Sequence, residues 1–313
     1  MSAVPSIKLN TGATIPAIGL GAAPTSTHAV TPEAIIDSQN WILTALKAGY
    51  RHIDTAQIYA TEPYVGAAIR ASGIPRDEVF VTTKLPWHHA KYVARSFDES
   101  LRNLGMDYVD LYLIHFPQTV EYSTGYETPS DFMDVLTQLK VVDSPTFNET
   151  WAEMEKIHAS GRARAIGVSN FSIRTLEQLL KTAKIVPAVN QVEMSPYLAQ
   201  TELLEYCREK GIVLTAYSPS GREQVRSDPT IVALAEKYKA TPTQIILAWH
   251  VARGTAAVPR SANAGRQKEN IDLPTLSAED VAAVTALDRN ERIVNKVGPD
   301  GKLYGWTAEQ YGW

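Results

Sequence analysis

Residues 49–59 read Gly49-Tyr50-Arg51-His52-Ile53-Asp54-Thr55-Ala56-Gln57-Ile58-Tyr59. An apolar-leaning run ends in the acid Asp54, and five residues later, in what reads as a loop just past a strand, stands Tyr59. A carboxylate at the C-terminal edge of a strand with a phenol close behind implies acid/base chemistry at the mouth of a barrel. The rest of the chain reads as the scaffold that gathers such residues.

Upstream, Thr31-Pro32-Glu33 supplies an N-cap, a proline at N1 and a first-turn acid, and Gly49 ends the helix; Ile35, Ile42 and Leu46 mark its apolar face. Downstream, residues 63–72 read as a helix carrying Val65 and Ile69, and 79–84 as a strand. A helix with Val93, Phe97, Leu101 and Leu104 then closes at Gly105, and a strand spans 108–115. Residues 118–148 break this rhythm, and an irregular segment of that length in a compact domain is usually a functional loop. The alternation resumes with strands at 163–168, 188–193, 212–217 and 256–259 and helices between them. With a short strand near Ile18 the count is eight, and eight parallel strands with crossover helices predict an α/β fold, a (β/α)8 barrel. No composition shift divides residues 1–313, so one domain is expected. An Asn10-Thr11-Gly12 turn between two extended runs predicts an N-terminal hairpin that plugs one end. Ser277 starts an extra helix, and 297–313 is a tail rich in Gly, Trp and Tyr that is expected over the barrel mouth.

The chain has 313 residues, 44% hydrophobic and 20% charged, enough for such a barrel. A net charge of -4 shows no basic field of the kind nucleic acid requires. Cys207, the only cysteine, excludes an internal disulfide and a cysteine metal cage. The first residues lack signal-peptide blocks and no apolar run is long enough to span a membrane, so a cytoplasmic, soluble protein is expected. Gly19-Leu20-Gly21-Ala22-Ala23-Pro24 lacks the third glycine of a dinucleotide-binding Rossmann loop. His88-His89 is an adjacent pair with no carboxylate at ligand spacing, which argues against a metal hydrolase or isomerase.

Each strand end is polar: Asp54, Lys84, His115, Ser169-Asn170, Asn190-Gln191, Tyr217-Ser218 and Arg260-Ser261. Singly, each has a bland explanation as a cap, a solvated charge or a satisfied core group. Seven on one rim are harder to dismiss. Taken with Ile166-Gly-Val-Ser-Asn-Phe171, Thr215-Ala-Tyr-Ser-Pro219 and Val258-Pro-Arg-Ser261 followed by Arg266 and Asn270, they make the sequence resemble the aldo-keto reductase superfamily nearly end to end.

The resemblance implies carbonyl reduction with a nicotinamide cofactor bound without a Rossmann motif. It implies Tyr59 as general acid, Lys84 lowering the phenol's pKa, Asp54 holding Lys84, and His115 orienting the carbonyl. It places Gly21, Ala22, Ser169, Asn170, Gln191, Tyr217, Ser218 and Ser220 on the cofactor. Arg260, Ser261, Asn263 and Arg266 fall where the family holds an adenosine 2'-phosphate, and Glu269 and Asn270 where it holds the adenine. Two guanidiniums there favour NADPH, with some tolerance for NADH because Arg260 stands where lysine is usual. Ala23, Ile58, Trp87, Phe116 and Trp306 fall at the substrate. Ala22-Ala23 in place of Thr-Trp should widen the pocket, and Phe116 matches a choice also found in xylose reductases. The expected substrate is a small to medium carbonyl, with sugar-derived aldehydes among the candidates. Some superfamily members serve as non-enzymatic binding proteins, and that alternative stays open. No obligate protein partner is evident.

Overall fold

The computed structural model describes residues 4–24, 32–128 and 132–313, without the side chains of 32–36 and 132–134. Strands run in the order β1 (Ser6–Lys8), β2 (Thr14–Pro16), β3 (Leu20–Gly21), β4 (His52–Asp54), β5 (Phe80–Leu85), β6 (Leu111–Ile114), β7 (Thr119–Glu121) and β8 (Lys140–Val142). They continue with β9 (Ile166–Ser169), β10 (Val189–Glu193), β11 (Val213–Tyr217), β12 (Ala256–Ala257), β13 (Lys302–Leu303) and β14 (Trp306–Thr307). The helices are α1 (Pro32–Ala48), α2 (Glu62–Ser72), α3 (Val93–Leu104), α4 (Phe132–Gln138), α5 (Phe147–Ala159), α6 (Ile173–Leu180) and α7 (Thr201–Glu209). After them come α8 (Arg222–Arg226), α9 (Pro229–Tyr238), α10 (Pro242–Ala252), α11 (Ala264–Ile271), α12 (Ala278–Thr285) and α13 (Ala308–Tyr311).

Strands β3, β4, β5, β6, β9, β10, β11 and β12 pair in parallel in that spatial order. A parallel bridge from Ile18 to Ala257 joins the two edges, with Gly19 N–H to Ala257 O at 2.9 Å and Ala257 N–H to Ala17 O at 2.7 Å. The sheet is thereby a closed (β/α)8 barrel, which leaves no strand edge unpaired.

The helices cover the barrel because their apolar stripes recur at spacings of three and four. In α3 that stripe is Val93, Phe97, Leu101 and Leu104, all buried against Trp151 and Met154 of α5 and Val65 and Ile69 of α2. Burying one such side chain fully stabilises the fold by about 1.5–3 kcal/mol. Ile42 and Leu46 of α1 join the same layer; the proposed cap Thr31 lies outside the described residues. The N-terminal hairpin β1–β2 buries Leu9 and Ile15 in one cluster with Phe80, Leu111, Ala165 and Val189, which stand at or near the N-terminal ends of their strands, so it closes the end opposite the strand-end residues.

The irregular loop expected over 118–148 is partly ordered. Thr119–Glu121 pairs antiparallel with Lys140–Val142, and α4 lies between them. The pairing was hidden because its strands hold three residues each, too few to show an alternating pattern. No helix among the described residues is long and apolar enough to cross a membrane.

Candidate active site

The strand ends meet in a cleft of about 570 Å³ at the C-terminal face of the barrel. Its lining includes Asp54, Tyr59, His115, Ser169, Asn170, Gln191 and Tyr217. Beneath lies Lys84, fully buried, whose ammonium donates to Asp54 Oδ1 at 2.6 Å and to the Thr55 carbonyl at 2.8 Å. The other oxygen of Asp54 accepts from Gln191 Nε2 at 2.7 Å. A buried charge is tolerated only when it is paired and hydrogen-bonded, as this one is.

Tyr59 stands on the short 3-10 turn Gln57–Tyr59, and its hydroxyl lies 3.4 Å from His115 Nε2. Burial, reinforced by the charge of Asp54, holds the phenol well above its ordinary value of 10.0. Lys84 was expected to lower it. Its ammonium sits 5.2 Å from the centre of the Tyr59 ring and is spent on Asp54, so burial prevails in the protein alone. Burial also lowers the Lys84 pKa, against the pull of Asp54. His115 is pushed well below 6.5 by burial and by the Lys84 charge, so its imidazole is neutral, and its Nδ1 has no partner among the described residues.

Beside this group Asn170 adopts a left-handed φ of 66°, which asparagine accepts more readily than most residues. Its amide donates to the His115 carbonyl at 2.9 Å and to Ser169 Oγ at 3.1 Å, while its oxygen accepts from the Tyr217 hydroxyl at 2.7 Å. Tyr217 accepts in turn from Asn295 of the C-terminal tail at 2.7 Å. Gly21, Ser218, Ser220 and Arg260 continue the lining. Gly21 has no room for a side chain, since a Cβ would come within 2.8 Å of the Val258 carbonyl oxygen.

Ala22 is fully buried behind the lining. Ser261, Asn263, Arg266, Glu269 and Asn270 lie past Arg260 at and along α11, outside the cleft lining. There Asn263 caps the helix, its side chain accepting from the Arg266 N–H at 3.0 Å; Arg266 and Glu269 are exposed, and Asn270 is buried. Of the residues expected at the substrate, Ala23, Ile58, Trp87 and Phe116 line the cleft, but Trp306 does not. It packs edge-on against Tyr311, and Tyr304, two residues earlier, takes the place in the cleft. Arg222 and Arg226 of α8 also line it and were not among the residues read from the sequence.

The lining suits a dinucleotide with anionic phosphates. Its charged residues among those described are three guanidiniums, Arg222, Arg226 and Arg260, and one carboxylate, Asp54, which Lys84 already neutralises. Guanidiniums are matched to phosphate oxygens by charge and by their fork of donors. His88 and His89 are engaged otherwise, with Thr128 Oγ1 at 2.9 Å and Ser96 Oγ at 2.9 Å, and no cluster of metal-ligating side chains occurs among the described residues.

A closed parallel barrel with a lysine–aspartate pair beneath a tyrosine and a histidine defines a barrel oxidoreductase, and comparison with known proteins agrees. The profile of the Aldo/keto reductase family matches residues 17–289, and the chain belongs to that family. It is 42% identical over 306 residues to the glycerol 2-dehydrogenase (NADP(+)) of Saccharomyces cerevisiae, spanning 94% of each chain. It is 39% identical over 295 residues to the aldehyde reductase YPR1 of the same yeast, spanning 91% of each. Among solved structures, a Bombyx mori aldo-keto reductase in complex with NADP superposes with a TM-score of 0.82 at 36% identity, covering 94% of this chain and 96% of that one.

Proposed function

We propose that the protein reduces a small to medium aldehyde or ketone to its alcohol with NADPH, and that Tyr59 is the general acid. The observation that carries this is the Tyr59 hydroxyl standing 3.4 Å from His115 Nε2 at the floor of the cleft, above the buried Lys84–Asp54 pair. NADPH, when bound, supplies the hydride. As the carbonyl carbon gains it, negative charge grows on oxygen, and donors fixed in advance stabilise that charge without reorganising. His115, held neutral, offers an N–H in its Nε2-protonated tautomer and fixes the oxygen between itself and Tyr59. Tyr59 keeps its proton at neutral pH and gives it to that oxygen; solvent returns one to the phenolate. Lys84 supplies the positive charge that stabilises the phenolate while it lasts, and Asp54 keeps Lys84 in place.

Arg260 and Arg266 would hold the 2'-phosphate, Arg222 and Arg226 would face the other phosphates, and Tyr217, Asn170, Ser169 and Gln191 would seat the nicotinamide. That arrangement favours NADPH over NADH. A cytoplasmic setting agrees with a lone cysteine that is buried and whose thiol burial pushes up to about 12.

The test is NADPH and NADH oxidation against a panel of aliphatic, aromatic and polyhydroxy aldehydes and ketones. Turnover that is faster with NADPH supports the reading. Tight NADPH binding with no turnover on any carbonyl would move the assignment to a non-enzymatic, cofactor-binding role.

A further inference from the structure

The substrate end of the cleft spends its polar groups on itself. The Trp87 indole N–H donates to the Tyr122 hydroxyl at 3.2 Å, and Thr128 Oγ1 pairs with His88 Nε2 at 2.9 Å. Ile58, Phe116 and Val135 add only carbon. Among the described residues, the tail adds a further wall. The Tyr304 ring stacks on Trp87, centroids 4.8 Å apart at 28°, and meets Phe116 edge-on at 5.2 Å and 74°. Its hydroxyl makes no hydrogen bond among the described residues.

The backbone that delivers this ring is unusual. Leu303 pairs with Trp306, so Tyr304 and Gly305 form a two-residue hairpin loop, and both have positive φ, 46° and 83°. Two positive φ values match the type I′ hairpin turn, which favours Asn-Gly and disfavours a bulky ring at its first position. The turn is held by its surroundings. Gln118 Nε2 donates to the Tyr304 carbonyl at 3.4 Å, the Tyr311 hydroxyl donates to the Leu303 carbonyl at 3.1 Å, and a Cβ on Gly305 would fall 2.2 Å from Val141 Cγ2. A strained side chain fixed over a cleft by neighbouring structure points to a use for that side chain.

We propose that Tyr304 determines specificity: with Trp87 and Phe116 it forms an aromatic box that selects carbonyls bearing a flat apolar body, aryl aldehydes and aryl ketones, over polyhydroxy aldehydes. The inference rests on the carbonyl-reductase reading of the same cleft. An aryl ring gains stacked and edge-on contacts there. A polyol brings hydroxyls that lose water and, among the described residues of this end, meet only the Tyr304 hydroxyl free of another hydrogen bond, and unpaired buried hydroxyls are costly. This departs from the sugar-derived aldehyde among the candidates read from the sequence.

The experiment compares benzaldehyde with glyceraldehyde as substrates of the wild type, Tyr304→Phe and Tyr304→Gly. Glycine accepts the positive φ, so the turn survives loss of the ring. The wild type should favour benzaldehyde in kcat/KM by about tenfold or more, Tyr304→Phe should keep that ratio within about threefold, and Tyr304→Gly should lower it about tenfold. A ratio unchanged in Tyr304→Gly, or a wild-type preference for glyceraldehyde, overturns the proposal while leaving the reductase reading intact. Calorimetry with benzyl alcohol and glycerol on the NADPH-loaded protein separates the two ideas, because that complex cannot react. Benzyl alcohol binding that is tighter than glycerol binding and is lost in Tyr304→Gly supports the box even if no carbonyl is turned over. Binding of the two alcohols that Tyr304→Gly leaves alike would sink it.

Discussion

Asp54 and Gln191 stand 137 positions apart in sequence and share a 2.7 Å hydrogen bond, Gln191 Nε2 to Asp54 Oδ2, while Asp54 Oδ1 holds the Lys84 ammonium. One carboxylate thus ties the neighbouring strands β4 and β5 to β10, four places round the barrel from β4. Lys84 is wholly buried, so its charge depends on that partner. Asp54→Asn should cost about 3–5 kcal/mol in urea unfolding, because it leaves a buried charge uncompensated, and should lower turnover as well. A loss below about 1 kcal/mol would mean that Lys84 is already neutral in the folded protein.

The C-terminal tail reaches the same centre through Asn295. Its backbone is pinned where Glu193 Oε1 accepts from the Ile293 and Val294 N–H groups at 2.5 and 2.9 Å, and its side chain donates to the Tyr217 hydroxyl. Tyr217 in turn holds Asn170. Asn295→Ala removes one hydrogen bond of about 1 kcal/mol, so NADPH binding should weaken roughly threefold to tenfold by calorimetry. An unchanged dissociation constant would show that Tyr217 keeps its place without the tail.

Acid should destabilise the protein through its buried histidines. Burial pushes His52 down to about 4 and His250 down to about 3, from 6.5. His52 sits between the Pro16 carbonyl and Thr82 Oγ1, and His250 between Thr255 Oγ1 and the Pro219 carbonyl. Below pH 6.5 the unfolded chain takes up protons that the folded one refuses, so stability falls as pH falls, by about 1.4 kcal/mol per histidine per pH unit. The loss runs from 6.5 to about 4 for His52 and to about 3 for His250. Thermal unfolding between pH 7 and 5 should show it, and His250→Gln should flatten the slope. A melting temperature constant over that range would contradict the burial of neutral imidazoles.

The barrel was legible because each crossover helix repeats its apolar residues at three and four, as Val93, Phe97, Leu101 and Leu104 do, and each strand ends in a polar residue. Hydrogen bonds between distant positions left no such pattern. Asn295 was missed because its partner Tyr217 is 78 residues away, and Arg222 and Arg226 because α8 is a five-residue helix with no periodicity. Trp306 was placed at the substrate from the sequence, whereas Tyr304, two residues earlier, is the tail residue that lines the cleft. The available signal was the Tyr304-Gly305 pair, whose turn geometry, read as a hairpin, carries the tyrosine inward.

Tyr59 carries the proposed proton transfer, so the decisive measurement is NADPH-dependent reduction of benzaldehyde by Tyr59→Phe beside the wild type, with NADPH affinity measured on both. Loss of the positioned acid should lower kcat by about 10²–10⁴ while the dissociation constant of NADPH stays within about threefold. A variant that turns over at near the wild-type rate would contradict the account and send the search for the proton donor to His115.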